Sequence, residues 1–154
     1  MEILSEGIQN GEILDRYGKR GREKKFGMPT LSLPIEIKNA PKETKAFALV
    51  FDDPDSVKVC GFVWIHWLAC NFTKTTLKEG DSLNTFDLVQ GLNSWNENCY
   101  GGPCPPDRPH NYRLKVYALK EKLNLRGNFT LEQLNTEMQG KIIAESELFG
   151  LYKN

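Results

Sequence analysis

The stretch Gly101–Tyr112, with the sequence GGPCPPDRPHNY, constrains the fold more than any other part of the chain. It holds four prolines in twelve residues. Proline fixes the backbone angle φ and provides no amide donor, so the stretch belongs in neither a helix nor a central strand. A flexible connector would be rich in glycine and serine instead. We therefore predict a rigid loop of the kind that borders a site or fixes a corner of the fold.

Apolar periodicity predicts strands on both sides of this loop. The clearest strand follows the loop directly and alternates strictly in the sequence YRLKVYAL. The run GFVWIHWLAC is continuously apolar, which favours a buried, central strand. The predicted strands are residues 31–37, 46–51, 62–69, 86–90, 112–119 and 142–148.

One helix is predicted near the end of the sequence. Thr130 and Gln133 form a capping box, and the apolar residues that follow lie on one face up to Gly140. The strands show no regular alternation with helices, so the pattern favours an antiparallel sandwich or barrel. The turn Asp52–Ser56 and the basic segment Gly18–Gly27 are predicted to be irregular, the latter an exposed loop.

Size and charge limit the class of protein. The 154 residues fit one domain spanning 1–154, and twenty basic residues balance twenty acidic ones. A neutral chain gives no reason to expect nucleic acid as a partner. The N-terminus lacks a secretory signal pattern, and the longest apolar run is too short to span a bilayer. We expect a cytoplasmic protein without stable membrane insertion.

The four cysteines, Cys60, Cys70, Cys99 and Cys104, do not have the two-residue spacing of zinc ribbons or thioredoxin-like motifs. Reduced thiols are the simpler interpretation for a cytoplasmic chain. A disulfide between Cys99 and Cys104 would close a small ring and is left open.

Only two histidines are present, and each lies beside an aromatic residue in a predicted strand. His66 shares a strand face with Trp64, while Trp67 points to the opposite face. His110 precedes Tyr112 by two positions, so these two also share a face. Two such pairs could form one wall of a polar pocket.

The acidic turn that contains Asp53 and Asp55 follows a predicted strand, so a rigid backbone would hold its carboxylates. If this turn meets His66 and His110, each imidazole is expected to be kept protonated by a carboxylate and to accept an anion. The alternative is purely structural, since strand histidines are often satisfied core residues and such turns are common.

Other chemistry has weaker support. His66, His110 and Asp53 are suitable metal ligands, but their spacing matches no metal motif, so no metal or cofactor is expected. Ser94 lies in GLNSW, without the glycine pattern of a nucleophile elbow. Nothing in the sequence identifies a catalytic nucleophile.

Several linked motifs carry a family resemblance. AFALVFDDPDS, WIHWLAC, GLNSW and YGGPCPPDRPHNYRLKVYALK occur in this order over residues 31–119. Together they resemble the phosphatidylethanolamine-binding protein family, and in particular its bacterial and archaeal branch of Raf kinase inhibitor-like proteins. The resemblance implies an all-β-dominated, antiparallel Greek-key β-sandwich with one or two short helices and a small anion-binding pocket.

The resemblance also implies the site residues. Asp53 matches the first acid of the family's Asp-Pro-Asp motif, His66 its Trp-x-His strand and His110 its His-x-Tyr pair. Gly102 is implied to let the backbone approach the ligand, and the prolines Pro103, Pro105 and Pro106 to form the rim, with a cis bond left open. The implied ligand-binding set is Asp53, Asp55, Trp64, His66, Gly102, Pro103, Pro105, His110 and Tyr112.

Two departures from the family pattern stand out. Ser56-Val57 replaces the proline that commonly follows Asp-Pro-Asp, which implies a looser rim there. Upstream, FGMPTLSLPIEIKNAP replaces the usual Ser-Pro-Pro and a tryptophan-containing strand, which changes the surroundings of the pocket and leaves the pocket motif complete.

Three functions follow as expectations. The first is a non-enzymatic protein that binds a small anionic ligand, such as phosphate, a phospholipid head group or a phosphorylated side chain. The second is a kinase or protease inhibitor that acts through surface contacts, for which the basic segment Gly18–Gly27 is a candidate. The third is a hydrolase that uses the His/Asp pocket. A homodimer is left open.

Overall fold

The computed structural model describes all residues, 1–154. It contains twelve strands, three α-helices and two 3₁₀ turns, Asp15–Tyr17 and Pro54–Ser56. The helices are α1 (Val57–Cys60), α2 (Asp81–Asn84) and α3 (Leu131–Met138). The strands are β1 (Glu2–Leu4), β2 (Ile8–Gln9), β3 (Glu12–Ile13), β4 (Lys24–Lys25), β5 (Met28–Pro29), β6 (Ile35–Lys38), β7 (Ala46–Asp53), β8 (Trp64–Phe72), β9 (Thr76–Leu77), β10 (Val89–Gln90), β11 (His110–Leu119) and β12 (Ile142–Tyr152).

A seven-stranded sheet forms the centre of the fold, in the order β10-β8-β7-β11-β12-β3-β2. A second sheet has the order β1-β6-β9, and β4 and β5 form a separate hairpin. Most pairs are antiparallel, but β12 and β3 are parallel, joined at Leu151 and Glu12. The expectation of a purely antiparallel fold is therefore wrong at this edge, because β3 reaches β12 from the distant N-terminal segment.

The central strand β7 shows why its sequence does not alternate. All eight of its residues are buried. Phe47, Leu49 and Phe51 join a core of 20 residues that also includes side chains of the β1-β6-β9 sheet. Ala48 and Val50 face a second core of nine residues, which α3 covers. Both faces are shielded from water, so apolar residues are favoured at every position up to Phe51, before the two aspartates that end the strand.

The predicted strands all exist, with different bounds. The 46–51, 112–119 and 142–148 strands extend to Asp53, back to His110 and on to Tyr152, respectively. The 31–37 strand begins only at Ile35, and the 86–90 strand is reduced to two residues. The apolar run around His66 lies second from one edge rather than at the centre, because only β10 pairs beyond it.

The helix prediction is confirmed at the C-terminal end and incomplete elsewhere. Thr130 Oγ1 accepts from the Gln133 amide, Gln133 Oε1 accepts from the Thr130 amide, and α3 ends at Met138. The structure contains three helices where one or two were expected. The helices α1 and α2 were not predicted, and each has only four residues. A single turn is too short to show helical periodicity in the sequence.

The basic segment Gly18–Gly27 is more regular than the exposed loop expected. Its last part contains β4 and the turn of the β4–β5 hairpin, whose turn residues Phe26 and Gly27 have φ of +48° and +84°. Positive φ at both positions is typical of the tight turns that join antiparallel strands. No helix of the structure is both long enough and apolar enough to cross a membrane.

Candidate functional site

A cavity of about 280 Å³ lies where β7 ends. Strands β8 and β11, which flank β7, contribute its histidines. Five of the residues expected from the sequence line it, namely Asp53, Trp64, His66, His110 and Tyr112. Six further residues complete the lining, namely Ser56, Val59, Cys60, Trp95, Cys104 and Pro106.

His110 is held between two carboxylates. Its Nδ1 lies 2.7 Å from Oδ2 of Asp53, and its Nε2 lies 2.8 Å from Oδ1 of Asp107. The imidazole is 1 % exposed. A carboxylate oxygen accepts hydrogen bonds, so both contacts are satisfied only when both ring nitrogens carry a proton. The geometry therefore favours the imidazolium, a positive charge at the floor of the cavity.

His66 has the opposite character. Its Nδ1 lies 2.6 Å from the Gly101 carbonyl oxygen, which can only accept, so Nδ1 carries the proton. Burial lowers the pKa of His66 to about 4, against the opposing effect of the Gly101 and Gly102 carbonyls, and the positive His110 lowers it further. His66 is thus neutral at pH 7 and Nε2 is unprotonated. The expectation that a carboxylate keeps each imidazole protonated is wrong for His66, because no carboxylate reaches its ring.

A β-bulge sets the direction of the His66 side chain. Phe51 pairs with Trp67, but the next residue of β7, Asp52, pairs with Ile65, so His66 is the extra residue. His66 and Trp67 consequently both lie near the main core, where the His66 ring is 5.6 Å from that of Phe51. The prediction that Trp67 points away from His66 is wrong, because a bulge interrupts the alternation of side chains.

Asp53 is fixed by the turn that follows β7. Its Oδ1 accepts from the Ser56 amide at 3.1 Å, so both carboxylate oxygens have donors. The Ser56 hydroxyl lies 2.6 Å from the Asp53 carbonyl and 2.8 Å from that of Phe62, and accepts from the Trp64 amide. Ser56 therefore ties the turn to β8.

Aromatic rings form one wall of the cavity. The ring of Trp64 stacks on Phe62 and meets Trp95 edge to face, with centroids 5.6 and 5.1 Å apart. The Trp64 Nε1 is buried and has no hydrogen-bond partner. A buried donor without a partner is uncommon and costly, so a group that accepts from it would be stabilising.

Tyr112 lies beside His110 on the inward face of β11, as the alternation predicts. Its ring meets His66 edge to face at 5.1 Å. Burial raises the pKa of Tyr112, and the neighbouring Asp53 carboxylate raises it further. The phenol therefore stays protonated and can act as a hydrogen-bond donor.

The proline loop reaches the cavity through Cys104 and Pro106, of which only Pro106 was expected at the rim. Gly102, Pro103 and Pro105 are buried and do not line the cavity. A Cβ atom on Gly102 would lie 2.1 Å from the Tyr17 carbonyl oxygen, so its close backbone approach is to the N-terminal segment. Lys19 donates from its amide to the Pro103 carbonyl and from Nζ to that of Pro105. All prolyl bonds are trans.

Asp55 also acts outside the cavity. Its carboxylate accepts from Arg108 Nη2 at 3.1 Å and from the Asn111 amide at 2.8 Å. It therefore links the turn after β7 to the end of the proline loop. These hydrogen bonds, that of Asn111 first, hold the pKa of Asp55 below its usual range against the effect of burial.

Several lining residues were not predicted as ligand contacts. Trp95 lies inside GLNSW, a motif that the sequence does single out, so a signal for it existed. Asp107 is not part of the lining but contacts His110 from the proline loop, and nothing in its spacing after the Pro-Pro pair indicates this contact. Val59 and Cys60 lie on α1, which the sequence did not reveal. The lining contains no lysine or arginine.

The four cysteines are free thiols. Cys70 and Cys99 are buried, whereas Cys60 and Cys104 are exposed and line the cavity. Burial raises the pKa of Cys70 to about 12. No cluster of three or more His, Cys, Asp or Glu side chains is arranged to hold a metal ion.

Comparisons with known proteins identify the family. The model of the family described as "Phosphatidylethanolamine-binding protein" matches residues 4–153. Among curated relatives, the uncharacterized protein YxkA of Bacillus subtilis is 39% identical, covering 90% of this chain and 92% of its own. A UPF0098 protein of Chlamydia trachomatis is 39% identical over 99% of both chains.

Solved structures agree with the sequence matches. A phosphatidylethanolamine-binding protein homologue from Chlamydia trachomatis superposes with a TM-score of 0.86 at 36% identity, covering 99% of this chain and 96% of that one. YbcL of E. coli, described as a member of the mammalian family, superposes with a TM-score of 0.84 at 27% identity and covers 99% and 98%. With its cavity at the histidine strands and these matches along nearly its whole length, the chain belongs to the phosphatidylethanolamine-binding protein family.

Proposed function

We propose that this protein binds a small oxyanionic group, a phosphate or a carboxylate, in the cavity beside His110, and does so without catalysis. The observation that carries the proposal is the contact between His110 Nε2 and the Asp107 carboxylate, at 2.8 Å. Asp107 is half-exposed, so the position it occupies is accessible from solvent. An oxyanion of similar size meets the same charged donor there.

Other donors support an anion at this place. The Tyr112 hydroxyl keeps its proton, and the Trp64 Nε1 has no partner. His66 adds a different property, because its unprotonated Nε2 can only accept. A monohydrogen phosphate ester could therefore donate its own proton to His66 Nε2 while its other oxygens accept hydrogen bonds from the donor groups.

The apolar wall favours a ligand with an apolar body next to its oxyanion. Val59, Trp64, Trp95 and Pro106 line the cavity together with the polar groups. Small-molecule sites commonly combine such a wall with a few placed polar groups. An inorganic anion would leave this surface uncovered, so an aromatic or acyl phosphate fits better.

Binding is favoured over hydrolysis because the serines near the site are occupied. The Ser56 hydroxyl contacts backbone carbonyls, and Ser94 Oγ accepts from the Ile65 amide. Neither contacts a histidine, as an activated nucleophile would. The hydrolase alternative predicts that phenol is released from phenyl phosphate. This release can be measured in the same samples in which phenyl phosphate is tested as a ligand.

Thermal protection tests the proposal. Phenyl phosphate is expected to raise the melting temperature of the wild-type protein at neutral pH, and inorganic phosphate to raise it less, because ligands that bind only the folded state stabilise it. The variants His110→Gln and His66→Ala/His110→Ala should lose this protection. Equal protection of wild type and both variants would overturn the proposal.

A second arm distinguishes the sources of the phosphate. Sedimentation with vesicles that contain phosphatidic acid tests a lipid head group, and glycerol phosphate tests a soluble one. Binding to vesicles that His110→Gln abolishes would assign the site to a lipid. Protection by the soluble ester without sedimentation would assign it to a metabolite.

A kinase or protease inhibitor acting through its surface remains the second candidate. The β4–β5 hairpin carries Phe26 at its tip, and this residue is 99% exposed, which is unusual for a large apolar residue. Of the basic residues in the segment Gly18–Gly27, Arg20 pairs with Asp15, Lys25 pairs with Glu97 and Lys19 Nζ donates to the Pro105 carbonyl, so Arg22 and Lys24 are the ones whose charged groups have no partner. Loss of a captured protein partner in Arg22→Ala/Lys24→Ala, but not in His110→Gln, would favour this function. A cytoplasmic location and the oligomeric state remain predictions from the sequence.

A further inference from the structure

The two carboxylates on His110 differ in how firmly they are held. Asp53 lies at the end of β7 with 5 % of its side chain exposed and accepts from the Ser56 amide as well. Asp107 belongs to the proline loop and has 46 % of its side chain exposed. Ion pairs that reach solvent contribute little to stability, because water and side-chain entropy compete with them. Of the two contacts, the one at Nε2 is the one that can open.

A released Asp107 side chain has another partner within reach. Arg108 Nε lies 3.8 Å from Oδ2 of Asp107, while Arg108 Nη2 is anchored on Asp55 at 3.1 Å. The carboxylate can therefore rotate away from His110 and keep a positive neighbour. The exchange costs less than leaving the carboxylate without a cation.

The loop backbone does not have to move for this exchange. Pro106 and Pro109 flank the Asp107-Arg108 pair, and a residue before proline is restricted to extended conformations. The Asp107 carbonyl also accepts from Asn154 Nδ2 at 3.1 Å. A rotation of one side chain on a fixed backbone is enough to expose Nε2.

The charge of the site favours an anionic ligand that replaces Asp107 at His110 over one that binds in addition to it. With His110 protonated, the group of Asp53, His110 and Asp107 carries one excess negative charge, and no lysine or arginine lines the cavity. A second anion placed beside Asp107 would be repelled at close range. A monoanion that takes the place of Asp107 leaves the sum of charges around His110 unchanged.

We propose that Asp107 is a built-in anion of this site, and that an oxyanionic ligand binds by displacing it from Nε2 of His110. The proposal rests on the proposed function, since it concerns the same cavity. Asp107 lowers the apparent affinity for every anion by keeping the site occupied. It thereby sets a threshold, so that an anion at low concentration, or one without contacts to the aromatic wall, does not remain bound.

Isothermal titration with inorganic phosphate at neutral pH and constant ionic strength tests this exchange. Asp107→Ala is expected to bind phosphate about five- to tenfold more tightly than the wild type, the size of an ordinary coupling between two ligands. Asp107→Asn keeps an acceptor oxygen without the charge, so its affinity for phosphate should lie between those of Asp107→Ala and the wild type. Circular dichroism and melting temperature check that each variant is folded.

Two further variants separate the exchange from a general effect of charge. Glu97→Gln also removes a negative charge, two residues along the chain from the lining residue Trp95, but Glu97 pairs with Lys25 and does not contact His110, so the affinity of this variant for phosphate should stay near that of the wild type. The double variant Asp107→Ala/His110→Gln should lose the increase in phosphate affinity that Asp107→Ala shows. An equal gain in Glu97→Gln, or the full gain in the absence of His110, would overturn the proposal.

The two proposals fail in different ways. If the wild type binds phosphate and Asp107→Ala binds it no more tightly, Asp107 is not a competitor, and the anion site stands. If Asp107→Ala does not bind phosphate even at millimolar concentration, and phenyl phosphate gives no protection either, both proposals fall.

Discussion

His66 and His110 lie on the two strands that flank β7 and line the same cavity, yet their environments leave one ring neutral and the other positively charged. His110 lies between carboxylates, whereas His66 donates to a backbone carbonyl and is buried among aromatic rings. The histidine wall of this site is therefore asymmetric. One side supplies a charged donor, and the other supplies a neutral acceptor and a shape.

Removing His110 is the largest perturbation of this asymmetry. His110→Ala leaves the Asp53 carboxylate buried without its cation, and breaking a buried pair in this way costs about 3–5 kcal/mol in the free energy of unfolding. Urea denaturation at neutral pH measures the loss. The double variant Asp53→Asn/His110→Ala, which removes the stranded charge, should be more stable than His110→Ala. A loss below about 1 kcal/mol would mean that the pair does not stabilise the fold.

Acid titration should reveal the neutral side of the wall. The unfolded chain has a histidine pKa of about 6.5, and the folded value for His66 is lowered to about 4. The unfolded state therefore takes up the proton first as the pH falls. The contribution of His66 to stability is complete above pH 6.5 and is lost between about pH 6.5 and 4, a change of about 3 kcal/mol.

His66→Asn is the matched control for this titration, because the asparagine amide can replace the Nδ1 donor to the Gly101 carbonyl but does not titrate. Unfolding free energies from pH 7 to 4 should fall less steeply in the variant than in the wild type. Identical pH profiles would show that His66 does not contribute to the acid sensitivity.

Thiol labelling tests the two sides on a smaller scale. Each histidine strand is preceded by a segment with an exposed cavity thiol, Cys60 on α1 before β8 and Cys104 in the proline loop before β11. Native protein should react with a maleimide at these two and not at the buried Cys70 and Cys99. Phenyl phosphate should slow the labelling of Cys104 more than that of Cys60, because the anion is expected to bind at His110. An equal decrease in the labelling rates of the two cysteines would indicate that the ligand lies midway between the two histidine strands and not at His110.

The sequence predicted the strands because their side chains repeat with a period that burial imposes. In β11 the alternation of buried and partly exposed residues places His110 and Tyr112 on one face, as expected. In β8 the same argument failed at one residue, since the bulge at His66 depends on pairing with β7 and leaves no trace in the spacing. The short helices and the β4–β5 hairpin were likewise too brief to show a period.

The site was predictable only in its inner part. Asp53, Trp64, His66, His110 and Tyr112 do line one cavity, and their motifs identified them. The rim was assigned to Gly102 and the prolines Pro103, Pro105 and Pro106, and of these only Pro106 lines the cavity. The other three pack against the N-terminal segment, more than 70 residues away in sequence, and sequence spacing gives no information about such distant contacts.

The amino-acid sequence alone indicates that the chain forms strands around a rigid proline loop, and that two histidines and an acidic turn lie at the ends of these strands. Local sterics and the period of burial are sufficient for both. Which carboxylate meets which histidine depends on the folded arrangement of the strands and the loop. That pairing, Asp53 and Asp107 on His110 and none on His66, sets the charge of each ring, because charge depends on partners and burial brought together across the fold.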